Sequence, residues 1–359
     1  MYIKQLQRDV SLLTKNSLRL DVSSEYYVEI TSELELEQIL HNKEFSCREI
    51  LVLGGGSNIF FTKNYQGIIL KINIKGIDVI YEDDDFVHVK IGAGEDWPSF
   101  VEYAVSKGWG GVENLAMVPG TVGAAPVQNI ACYGHNLHEA ILSVDAIMFS
   151  TGVKKTFSVE QCDFGYRTSI FKEKLHGECA IVDIKLKLKK KPELNTSYKS
   201  RYESVEGELA KIKNPPYGIE DVYQAIVNIR KRKLPDVNEV GTVGSVFKNP
   251  LITWDQLEAV KKICPDIQYY SQEHLIYNTL APNEHDKKEK VKIPAAWLIE
   301  EMGWAGKRIG NCGIWKTQPL NIVNYGNATP EEYLSAVDMV KDAVFDKYSI
   351  MLETEVLVI

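Results

Sequence analysis

The sequence predicts an α+β fold, and three observations indicate it. The first two-thirds of its 359 residues is rich in short apolar or alternating runs that end at turns, which is typical of strands. Beyond residue 215 amphipathic helical patterns dominate, and the chain finishes on another strand-like run, "SIMLETEVLVI". Because a typical domain has about 150 residues, the length predicts two or three domains, with a boundary near residue 215.

Six runs in the first part predict strands. The acidic run from Glu82 to Asp85 is expected at the tip of a hairpin between two of them. In the last run Lys185, Lys187 and Lys189 alternate with apolar residues, which indicates a half-buried strand typical of a sheet edge, with its lysines in solvent. The six runs are "REILVLG", "GIILKINI", "DVIYED", "FVHVKIG", "LSVDAIMFS" and "CAIVDIKLKLKK".

Helices are fewer in the first part but have clear end signals. In "GEDWPSFVEYAVSKGWGG", Asp96 is suited to cap the N-terminus, Pro98 lies in the first turn and Gly108 ends the helix. A second helix is expected over "SELELEQILH". The later helices are "GIEDVYQAIVNIRKRKLPD", "IPAAWLIEEMGW" and "ATPEEYLSAVDMVKDAVFDKY", the last with a capping box of Thr329 and Glu332 around Pro330.

Charge and composition exclude several classes of protein. A formal net charge of -8 and a pI near 5.5 argue against a nucleic-acid partner, because phosphate binding depends on a positive field. No apolar run approaches the roughly 18 residues of a membrane span, and the start lacks the features of a signal peptide. We therefore expect a soluble, cytoplasmic protein with no membrane partner.

The cysteines and histidines indicate neither a disulfide framework nor a metal site. The six cysteines, at positions 47, 132, 162, 179, 264 and 312, stand far apart with no C-x-x-C pair, which predicts reduced thiols. His135 and His138 have no carboxylate-rich partner set, so no metal is expected. The charged run from 283 to 292 is expected to be an exposed loop.

The run "ILVLGGGSNI", residues 50 to 59, is the first candidate ligand site. A dinucleotide-binding G-x-G-x-x-G turn opens a helix, but here Ile59 occupies the third glycine position and another strand follows. A P-loop is excluded as well, because no Lys-Ser/Thr pair follows the glycines. Taken alone, the run predicts a tight turn between strands.

A second glycine-rich segment favours ligand binding at this turn. No Asp, Glu, Lys or Arg lies between Glu113 and Glu139, and the segment is rich in Gly, Ala, Pro, Asn and Gln. Small side chains let the backbone approach a ligand, and free amide N–H groups bind anions without requiring lysine. Two such loops indicate a large cofactor that carries phosphate.

Five segments together resemble the UDP-N-acetylenolpyruvoylglucosamine reductase family. Each segment is weakly specific alone, but the five in this order and spacing are highly specific, and the resemblance spans the chain from about Asn16 to its end. The segments are "GGGSN", "ENLAMVPGTVGAAPVQNIACYG", "FGYRTSIFK", "KLPDVNEVGTVGSVFKNP" and "LETEV".

The resemblance implies a two-part FAD-binding domain of the vanillyl-alcohol-oxidase (PCMH) type and a third α+β domain that binds the substrate. The implied FAD-binding subdomains are residues 1–75 and 76–215. Residues 216–348 then form the substrate domain, and 349–359 form a C-terminal strand that returns to the active site.

The family reaction reduces the enolpyruvyl ether of UDP-N-acetylglucosamine to the lactyl ether of UDP-N-acetylmuramate, a peptidoglycan precursor. NADPH reduces a non-covalently bound FAD, and flavin N5 then delivers hydride to the methylene carbon of the substrate. NADPH and the UDP-sugar use one site in turn, so no separate nicotinamide domain is expected. The resemblance assigns FAD to Gly54, Gly55, Gly56, Ser57, Asn58, Pro119, Gly120, Thr121, Gly123, Ala124, Gln128, Asn129 and Gly134.

Three residues match the catalytic positions of the family. Hydride addition develops negative charge on the substrate carboxylate, which the planar, bidentate guanidinium of Arg167 is suited to bind. Ser245 is implied as the acid that protonates the adjacent carbon, with Lys248 nearby in sequence. Glu355 is the third residue, and Glu353, two positions earlier, is its natural control.

The resemblance also implies residues for the substrate diphosphate and sugar. Lys233 ends the dense cationic run "RKRK" of an otherwise acidic protein, although such a run at a helix C-terminus also complements the helix dipole. Tyr202 is close enough in sequence to compete with the tyrosine that closes over the UDP. The implied substrate residues are Tyr198, Lys233, Asn249 and Gln318.

Two positions depart from the family pattern. Leu357 stands where the family usually has Arg, and Cys132 where it usually has a small residue. Two other interpretations stay open: another FAD enzyme of the same fold, such as a sugar or lactone oxidase, and a non-catalytic protein that binds a nucleotide-sugar. A monomer is expected, and the segment from 253 to 292 has no assigned chemistry.

Overall fold

The computed structural model describes residues 6–41, 48–201, 203–271 and 290–359. The features expected at Cys47, at Tyr202 and in the first part of the 283–292 run lie outside these ranges. The chain divides into two compact units, each assembled from three separate stretches. Unit 1 comprises residues 1–10, 24–55 and 66–232, and unit 2 comprises residues 11–23, 56–65 and 233–359.

The helices begin where the end signals predict. The carboxylate of Asp96 accepts from the backbone N–H of Ser99 at 3.0 Å, and the hydroxyl of Thr329 caps Glu332 in the predicted capping box. Two helices, α3 and α5, were not expected. The helices are α1 (Glu33–Leu40), α2 (Trp97–Ser106), α3 (Val205–Ile212), α4 (Ile219–Lys233), α5 (Trp254–Ile263), α6 (Ala295–Glu301) and α7 (Pro330–Tyr348).

The strands include all six that were expected in the first part of the chain. They are β1 (Gln7–Ser11), β2 (Ser23–Ile30), β3 (Ile50–Leu53), β4 (Ile59–Phe60), β5 (Tyr65–Ile72), β6 (Ile77–Glu82), β7 (Phe86–Gly92), β8 (Ala131–Cys132), β9 (His135–Asn136), β10 (Ile141–Met148), β11 (Lys154–Ser158), β12 (Cys179–Lys189), β13 (Gly241–Thr242), β14 (Leu251–Thr253), β15 (Tyr270–Ser271), β16 (Lys290–Lys292), β17 (Arg308–Ile309), β18 (Cys312–Ile314), β19 (Ile322–Asn324) and β20 (Leu357–Val358).

Unit 1 contains two sheets. One has the strand order β1-β2-β5-β3, with β3 and β5 parallel, and the other is an antiparallel sheet in the order β11-β10-β12-β7-β6. The acidic run forms the predicted hairpin tip between β6 and β7, where the backbone N–H of Asp83 donates to the carbonyl of Phe86 at 2.9 Å.

The lysine-faced strand β12 is central in its sheet, so the expectation of an edge strand is wrong. Both of its sides are paired, with β10 and with β7. Its lysines instead line one face of the sheet: Lys185 contacts the carboxylate of Asp145 at 3.0 Å, and Lys187 lies 3.8 Å from the ring centroid of Phe86. A sequence alternation identifies the exposed face of a strand but not its neighbours.

Unit 2 packs its helices and short strands around a core that includes Leu18, Phe60 and Tyr333. Its sheets have the orders β13-β19-β18-β17 and β14-β16-β15, and β20 pairs with β4 in parallel, with Leu357 opposite Ile59. The last segment is therefore a much shorter strand than "SIMLETEVLVI" predicts.

The compact units do not follow the predicted domain boundary at residue 216. Most of α4 belongs to unit 1, because Arg230 donates to the carbonyl of Met117 at 3.1 Å and Arg232 pairs with Glu208 at 3.1 Å. Residues 11–23 and 56–65 belong to unit 2 although they lie in the predicted first subdomain. The whole predicted division, into residues 1–75, 76–215, 216–348 and 349–359, stays a prediction.

Across the described ranges, no helix is both long and apolar enough to span a bilayer. The cysteines of these ranges, Cys132, Cys162, Cys179, Cys264 and Cys312, are free thiols.

Candidate functional site

The glycine turn after β3 packs against the second glycine-rich segment, as the sequence predicts for two parts of one cradle. A methyl group added to Gly54 would lie 2.7 Å from Oγ1 of Thr121 and 2.9 Å from Cβ of Ala124. One added to Gly55 would lie 2.9 Å from Cα of Gly120. These approaches are too close for any side chain, so both glycines are required for the two loops to meet.

The facing backbones carry donors for an anion. Within the described ranges, neither Gly55 nor Gly120 uses its backbone N–H in a hydrogen bond to the protein. The carbonyl of Gly120 is held by the N–H of Trp97 at 3.0 Å, at the start of α2, which fixes the orientation of this loop. Fixed backbone amides of this kind bind phosphate oxygens.

The rest of the glycine turn belongs to unit 2. Gly56 has φ +66°, and a methyl group there would lie 2.2 Å from the carbonyl oxygen of Lys15, so packing within unit 2 already requires this glycine. Its carbonyl accepts from the N–H of Ser17 at 3.0 Å. Ser57 and Asn58 follow, and the carbonyl of Asn58 accepts from the N–H of Leu357 at 3.1 Å.

The segment without charged residues between Glu113 and Glu139, the uncharged segment, has several residues in left-handed backbone conformations that side chains disfavour. Met117, Asn129 and Tyr133 have φ values of 57°, 45° and 48°. Such strain of about 1–3 kcal/mol per residue persists where the surroundings impose it, and it concentrates at ligand sites. Asn129 is held by Nδ2 donation to the carbonyl of Gly165 at 3.3 Å and by the N–H of His138 donating to its Oδ1 at 3.2 Å.

The predicted cofactor residues that remain lie in the same segment. The N–H of Gly123 donates to the carbonyl of Ala93 at 2.9 Å, and a methyl group there would lie 2.5 Å from Cβ of Ala93. Ala124 donates to the carbonyl of Thr121 at 3.0 Å within the same turn. Pro119 and Gln128 are also part of it, and Gly134, at φ +80°, closes it.

Arg167 lies on unit 1 beside this segment. Its Nη2 donates to the carbonyl of Ala131 at 2.9 Å, and its guanidinium carbon lies 5.5 Å from the ring centroid of Tyr166. Its own backbone is left-handed, with φ 59°. Lys172 donates to its carbonyl at 3.1 Å, which holds the strained turn in place.

Sequence reasoning missed Arg230, a second guanidinium beside the uncharged segment. Its Nη2 donates to the carbonyl of Met117, whereas its Nε is buried and has no hydrogen-bond acceptor among the described residues. A buried donor of this kind is costly unless a ligand or water accepts from it. The sequence signal was present in "RKRK", but it did not show which of the four cations faces the loop.

Cys132 and the two histidines have structural partners on unit 1. Sγ of Cys132 donates to the carbonyl of Asn114 at 3.1 Å, and burial raises the pKa of this thiol. His135 lies 3.5 Å from Glu139, and burial lowers the pKa of His138. No group of three or more potential metal ligands exists in the described part of the chain.

Unit 2 brings Ser245 and Glu355 together. The backbone N–H of Glu355 donates to the carbonyl of Val246 at 2.7 Å, and Phe247 forms an isolated antiparallel bridge with Thr354. Ser245 follows Gly244, whose φ of +73° makes the sharp bend before it. Two of the three predicted catalytic residues therefore lie on adjacent, backbone-paired segments.

Glu353 and Lys248 extend the same pairing. The backbone N–H of Lys248 donates to the carbonyl of Glu353 at 2.9 Å. The ammonium of Lys248 also lies 3.3 Å from the carboxylate of Glu353. The Glu353 side chain is 74% exposed, and the cation expected to assist Ser245 is engaged in this pair.

The predicted diphosphate and sugar residues are also linked within unit 2. The N–H of Val246 donates to the carbonyl of Leu320 at 2.9 Å, which places the Gln318 segment beside the Ser245 segment. The hydroxyl of Thr317 donates to the carbonyl of Lys233 at 2.6 Å. The Oδ1 of Asn249 accepts from the N–H of Ala295, the first residue of α6, at 3.0 Å.

Tyr198 lies on unit 1, in a stretch from 192 to 198 without regular secondary structure. Its ring centroid is 5.2 Å from that of Tyr133, at an interplanar angle of 73°. The carbonyl of Tyr198 accepts from the N–H of Val205 at 3.1 Å, at the start of α3. Its predicted competitor Tyr202 lies outside the described residues.

The fold and the glycine cradle define a flavoprotein: residues 24–157 match the family described as FAD binding domain. Residues 236–359 match the family described as UDP-N-acetylenolpyruvoylglucosamine reductase, C-terminal domain. With the full-length relatives described next, this shows that the chain belongs to the UDP-N-acetylenolpyruvoylglucosamine reductase family. The predicted resemblance and the predicted FAD-binding α+β fold are both confirmed.

Several curated relatives that match nearly the whole chain carry the name UDP-N-acetylenolpyruvoylglucosamine reductase. The protein of Amoebophilus asiaticus is 37% identical over 354 residues, covering 99% of each chain. That of Flavobacterium johnsoniae is 38% identical over 356 residues, covering 99% of this chain and 100% of the relative. The crystal structure of UDP-N-acetylenolpyruvylglucosamine reductase from Thermus caldophilus, 20% identical, matches over 99% of both chains with a TM-score of 0.66, which shows the shared fold.

The residues present fit FAD. The cradle formed by Gly54 and Gly55 against Gly120 has no room for a side chain, and its amides suit a diphosphate. The unpaired Nε of Arg230, beside the same segment, supplies a positive donor. These features, on unit 1, suit the diphosphate of a flavin dinucleotide.

Proposed function

We propose that the protein reduces the enolpyruvyl ether of UDP-N-acetylglucosamine to UDP-N-acetylmuramate, with FAD as cofactor and NADPH as reductant. The observation that carries this proposal is the backbone pairing of the Ser245 segment with the Glu355 segment in a chain that belongs to the reductase family. The product serves peptidoglycan synthesis, and we place the protein in the cytoplasm.

FAD, when bound, supplies the hydride that reduces the double bond. We assign its diphosphate to the backbone around Gly55 and Gly120, where donors are fixed and side chains are excluded. Arg230 adds a positive donor next to the same segment. These groups bind and orient the cofactor and take no part in proton transfer.

Arg167 binds the carboxylate of the substrate. Addition of hydride to the methylene carbon places negative charge on this carboxylate, and a guanidinium stabilises such charge through two parallel hydrogen bonds. Its anchorage to the carbonyl of Ala131 and its strained backbone support a fixed orientation. A fixed donor stabilises developing charge without the cost of reorganising.

Ser245 donates its hydroxyl proton to the carbon next to the methylene carbon. A serine hydroxyl is a weak acid, but the carbon left after hydride addition carries the charge of a dianion and is strongly basic. Because Lys248 pairs with Glu353, we assign the driving force for this proton transfer to the basicity of the substrate carbon and not to the lysine. We assign Glu355 to the same reaction centre, because its segment pairs through the backbone with the residue that follows Ser245.

Lys233, Asn249 and Gln318 bind the diphosphate and sugar of the substrate, and Tyr198 closes over the UDP. Support for Asn249 is that Ala295 already satisfies its Oδ1, which leaves the amide NH₂ as the group presented to a phosphate oxygen. The UDP-sugar and NADPH are the partners, and we propose a monomer.

The test is an anaerobic titration of the purified flavoprotein. NADPH is added until the flavin absorbance is bleached, and the enolpyruvyl UDP-sugar is then added in stopped flow. Rapid recovery of the oxidised flavin spectrum, with formation of UDP-N-acetylmuramate by mass spectrometry, is the expected result. UDP-N-acetylglucosamine, which lacks the enol ether, is the matched control and leaves the flavin reduced.

Two results would contradict the proposal. Recovery of the flavin spectrum with oxygen but not with the enolpyruvyl UDP-sugar would indicate an oxidase of another substrate. A preparation that binds the UDP-sugar but contains no flavin identifies a non-catalytic binding protein.

A further inference from the structure

We infer that Asn195 is a positioning residue that holds Tyr198 in place for the substrate. It ties the stretch from 192 to 198 to the cofactor loop, which is the uncharged segment between Glu113 and Glu139. This inference rests on the proposed function, in which Tyr198 closes over the UDP. Asn195 lies outside the five segments that resemble the family, in the polar run "KPELNTSYKS".

Asn195 makes a direct hydrogen bond to the end of the cofactor loop. Its Nδ2 donates to the carbonyl of Gly134 at 2.8 Å, a contact between residues 61 positions apart. The hydroxyl of Ser197 donates to its Oδ1 at 3.1 Å, so both ends of the amide are used. A methyl group on Gly134 would lie 3.2 Å from the same Nδ2, so this loop position is shaped to receive the asparagine.

A second asparagine completes the tie from the cofactor loop. Nδ2 of Asn114 donates to the carbonyl of Tyr133 at 2.8 Å and to the carbonyl of Asn195 at 3.0 Å. Asn114 is 1% exposed, so its amide is a fixed part of the interior. One buried amide therefore holds the loop and the Tyr198 segment at adjacent points.

The other end of the Tyr198 segment is fixed by α3. The Tyr198 carbonyl accepts from Val205, and Lys199 forms an antiparallel bridge with Ser204, whose hydroxyl caps α3. Glu203 is paired with Arg232 at 3.0 Å. Tyr198 thus lies between two anchors, with its ring against that of Tyr133.

In the Asn195 variants the stretch from 192 to 198 keeps the bond from Asn114 to its backbone but loses the side-chain tie to Gly134, and no strand or helix orders it. Each residue released from one backbone conformation gains entropy, and substrate binding must then remove it again. We therefore expect Asn195 to act on substrate affinity and not on the rate of the chemical step. The half-saturating concentration is expected to rise by about fivefold to tenfold, which corresponds to the loss of one hydrogen bond.

The experiment measures reoxidation of the reduced flavoprotein at a series of enolpyruvyl UDP-sugar concentrations. The variants are Asn195→Ala, Asn195→Asp, Tyr198→Ala and the double variant Asn195→Ala with Tyr198→Ala. Asn195→Asp keeps the size of the side chain but cannot donate to the carbonyl of Gly134. Asn228→Ala is the matched control, since Asn228 is an asparagine on α4 bonded to Gln224.

In the expected result, both Asn195 variants raise the half-saturating concentration and leave the limiting rate and the FAD content within about twofold of wild type. Asn195→Ala has no further effect in the Tyr198→Ala background, because the two residues act as one unit. Unchanged saturation, additive effects, a wild-type-like Asn195→Asp or loss of FAD would each overturn the inference. If the wild-type protein is not reoxidised at all, the proposed function fails first and the inference falls with it.

Discussion

The backbone N–H of Glu355 donates a 2.7 Å hydrogen bond to the carbonyl of Val246, the residue that follows Ser245. This bond joins the C-terminal segment to the segment after α4, which are far apart in the sequence. Since the carbonyl and N–H are backbone groups, the pairing survives substitution of either predicted catalytic side chain. Single substitutions here therefore test chemistry with little change in the fold.

Ser245→Ala is expected to leave reduction of the flavin by NADPH within about threefold of wild type. Reoxidation by the enolpyruvyl UDP-sugar should slow by at least about a thousandfold, because the proton donor is lost after hydride addition. Stopped-flow absorbance of the flavin measures both half-reactions. Ser335→Ala, an exposed serine on α7, is the control, and normal reoxidation in Ser245→Ala would remove Ser245 from the mechanism.

Glu355→Gln is expected to slow reoxidation by roughly ten- to a hundredfold, whereas Glu353→Gln should stay within about twofold. Glu353 is exposed and pairs with Lys248, and exposed pairs contribute about 1 kcal/mol or less. The same substitution two residues apart thus separates chemistry from local charge. Equal effects of the two variants in the reoxidation assay would contradict the assignment of Glu355.

Gly55→Ala is expected to weaken FAD binding by at least about tenfold, because the new methyl group lies 2.9 Å from Cα of Gly120. Overpacking of this kind costs about 1–3 kcal/mol. Gly218→Ala is the control, since its methyl group would meet only Oδ2 of Asp221, at 3.6 Å. Fluorescence titration of the apoprotein with FAD measures the change, and equal affinities for the two variants would exclude the cradle.

The pair of buried carboxylates on β10 and β12 predicts a pH-dependent stability. Asp145 and Asp183 are cross-strand partners with side chains 5% and 3% exposed, and Lys154 lies within 3.5 Å of both. Burial raises the pKa of Asp183, and the Asp145 charge raises it further. Burial acts on Asp145 too, but hydrogen bonds from Thr156 and Lys185 outweigh it and lower its pKa.

The two aspartates therefore act in opposite directions. The ionised form of Asp183 destabilises the fold. Its contribution to the free energy of unfolding is therefore highest below the ordinary carboxyl pKa and falls as the pH rises through the raised pKa of Asp183. Asp145 stabilises the fold above the ordinary carboxyl pKa, about 3.9, and this contribution is lost as the pH falls through its lowered pKa. Asp145→Asn should lower the free energy of unfolding by about 3 kcal/mol at neutral pH, because it breaks the buried pairs with Lys154 and Lys185, whereas Asp183→Asn should leave it unchanged or raise it.

Urea unfolding from about pH 3 to pH 8 checks this prediction. The deficit of Asp145→Asn should shrink toward the acid end, whereas Asp183→Asn should flatten the decline of stability above the ordinary carboxyl pKa. The two variants are each other's control, because both replace a buried carboxylate by an amide on the same sheet. Parallel curves for the two would contradict the opposite pKa shifts.

The sequence predicted the elements whose ends carry strong local signals. Asp96 and Thr329 cap helices through their own side chains, a contact that spans three residues and is visible in the sequence. The contact between the two glycine-rich loops was also predictable, because consecutive glycines such as Gly54 and Gly55 allow a second backbone to approach closely. Pairing over long distances was not: β12 showed its lysine face but not its central place in the sheet.

Part of the candidate site was beyond sequence reasoning for the same reason. Arg230 and Arg232 are two positions apart in "RKRK", yet one binds the carbonyl of Met117 and the other the carboxylates of Glu203 and Glu208. Which face of α4 meets which loop is decided by packing. The contact of Asn195 with Gly134 is likewise a product of the tertiary fold.

The interleaved course of the chain has a consequence for synthesis on the ribosome. The amide of Asn324 donates to the carbonyl of Leu18 at 2.8 Å. Strand β4 pairs with Leu357 and Val358, which are synthesised long after it. Unit 1 is complete once Arg232 has emerged, so it is free to fold first, while residues 11–23 and 56–65 lack the rest of unit 2 until residues 233–359 have been synthesised. A fragment that starts at Lys233 lacks Leu18 and Phe60 of its own core, and should aggregate when it is expressed alone.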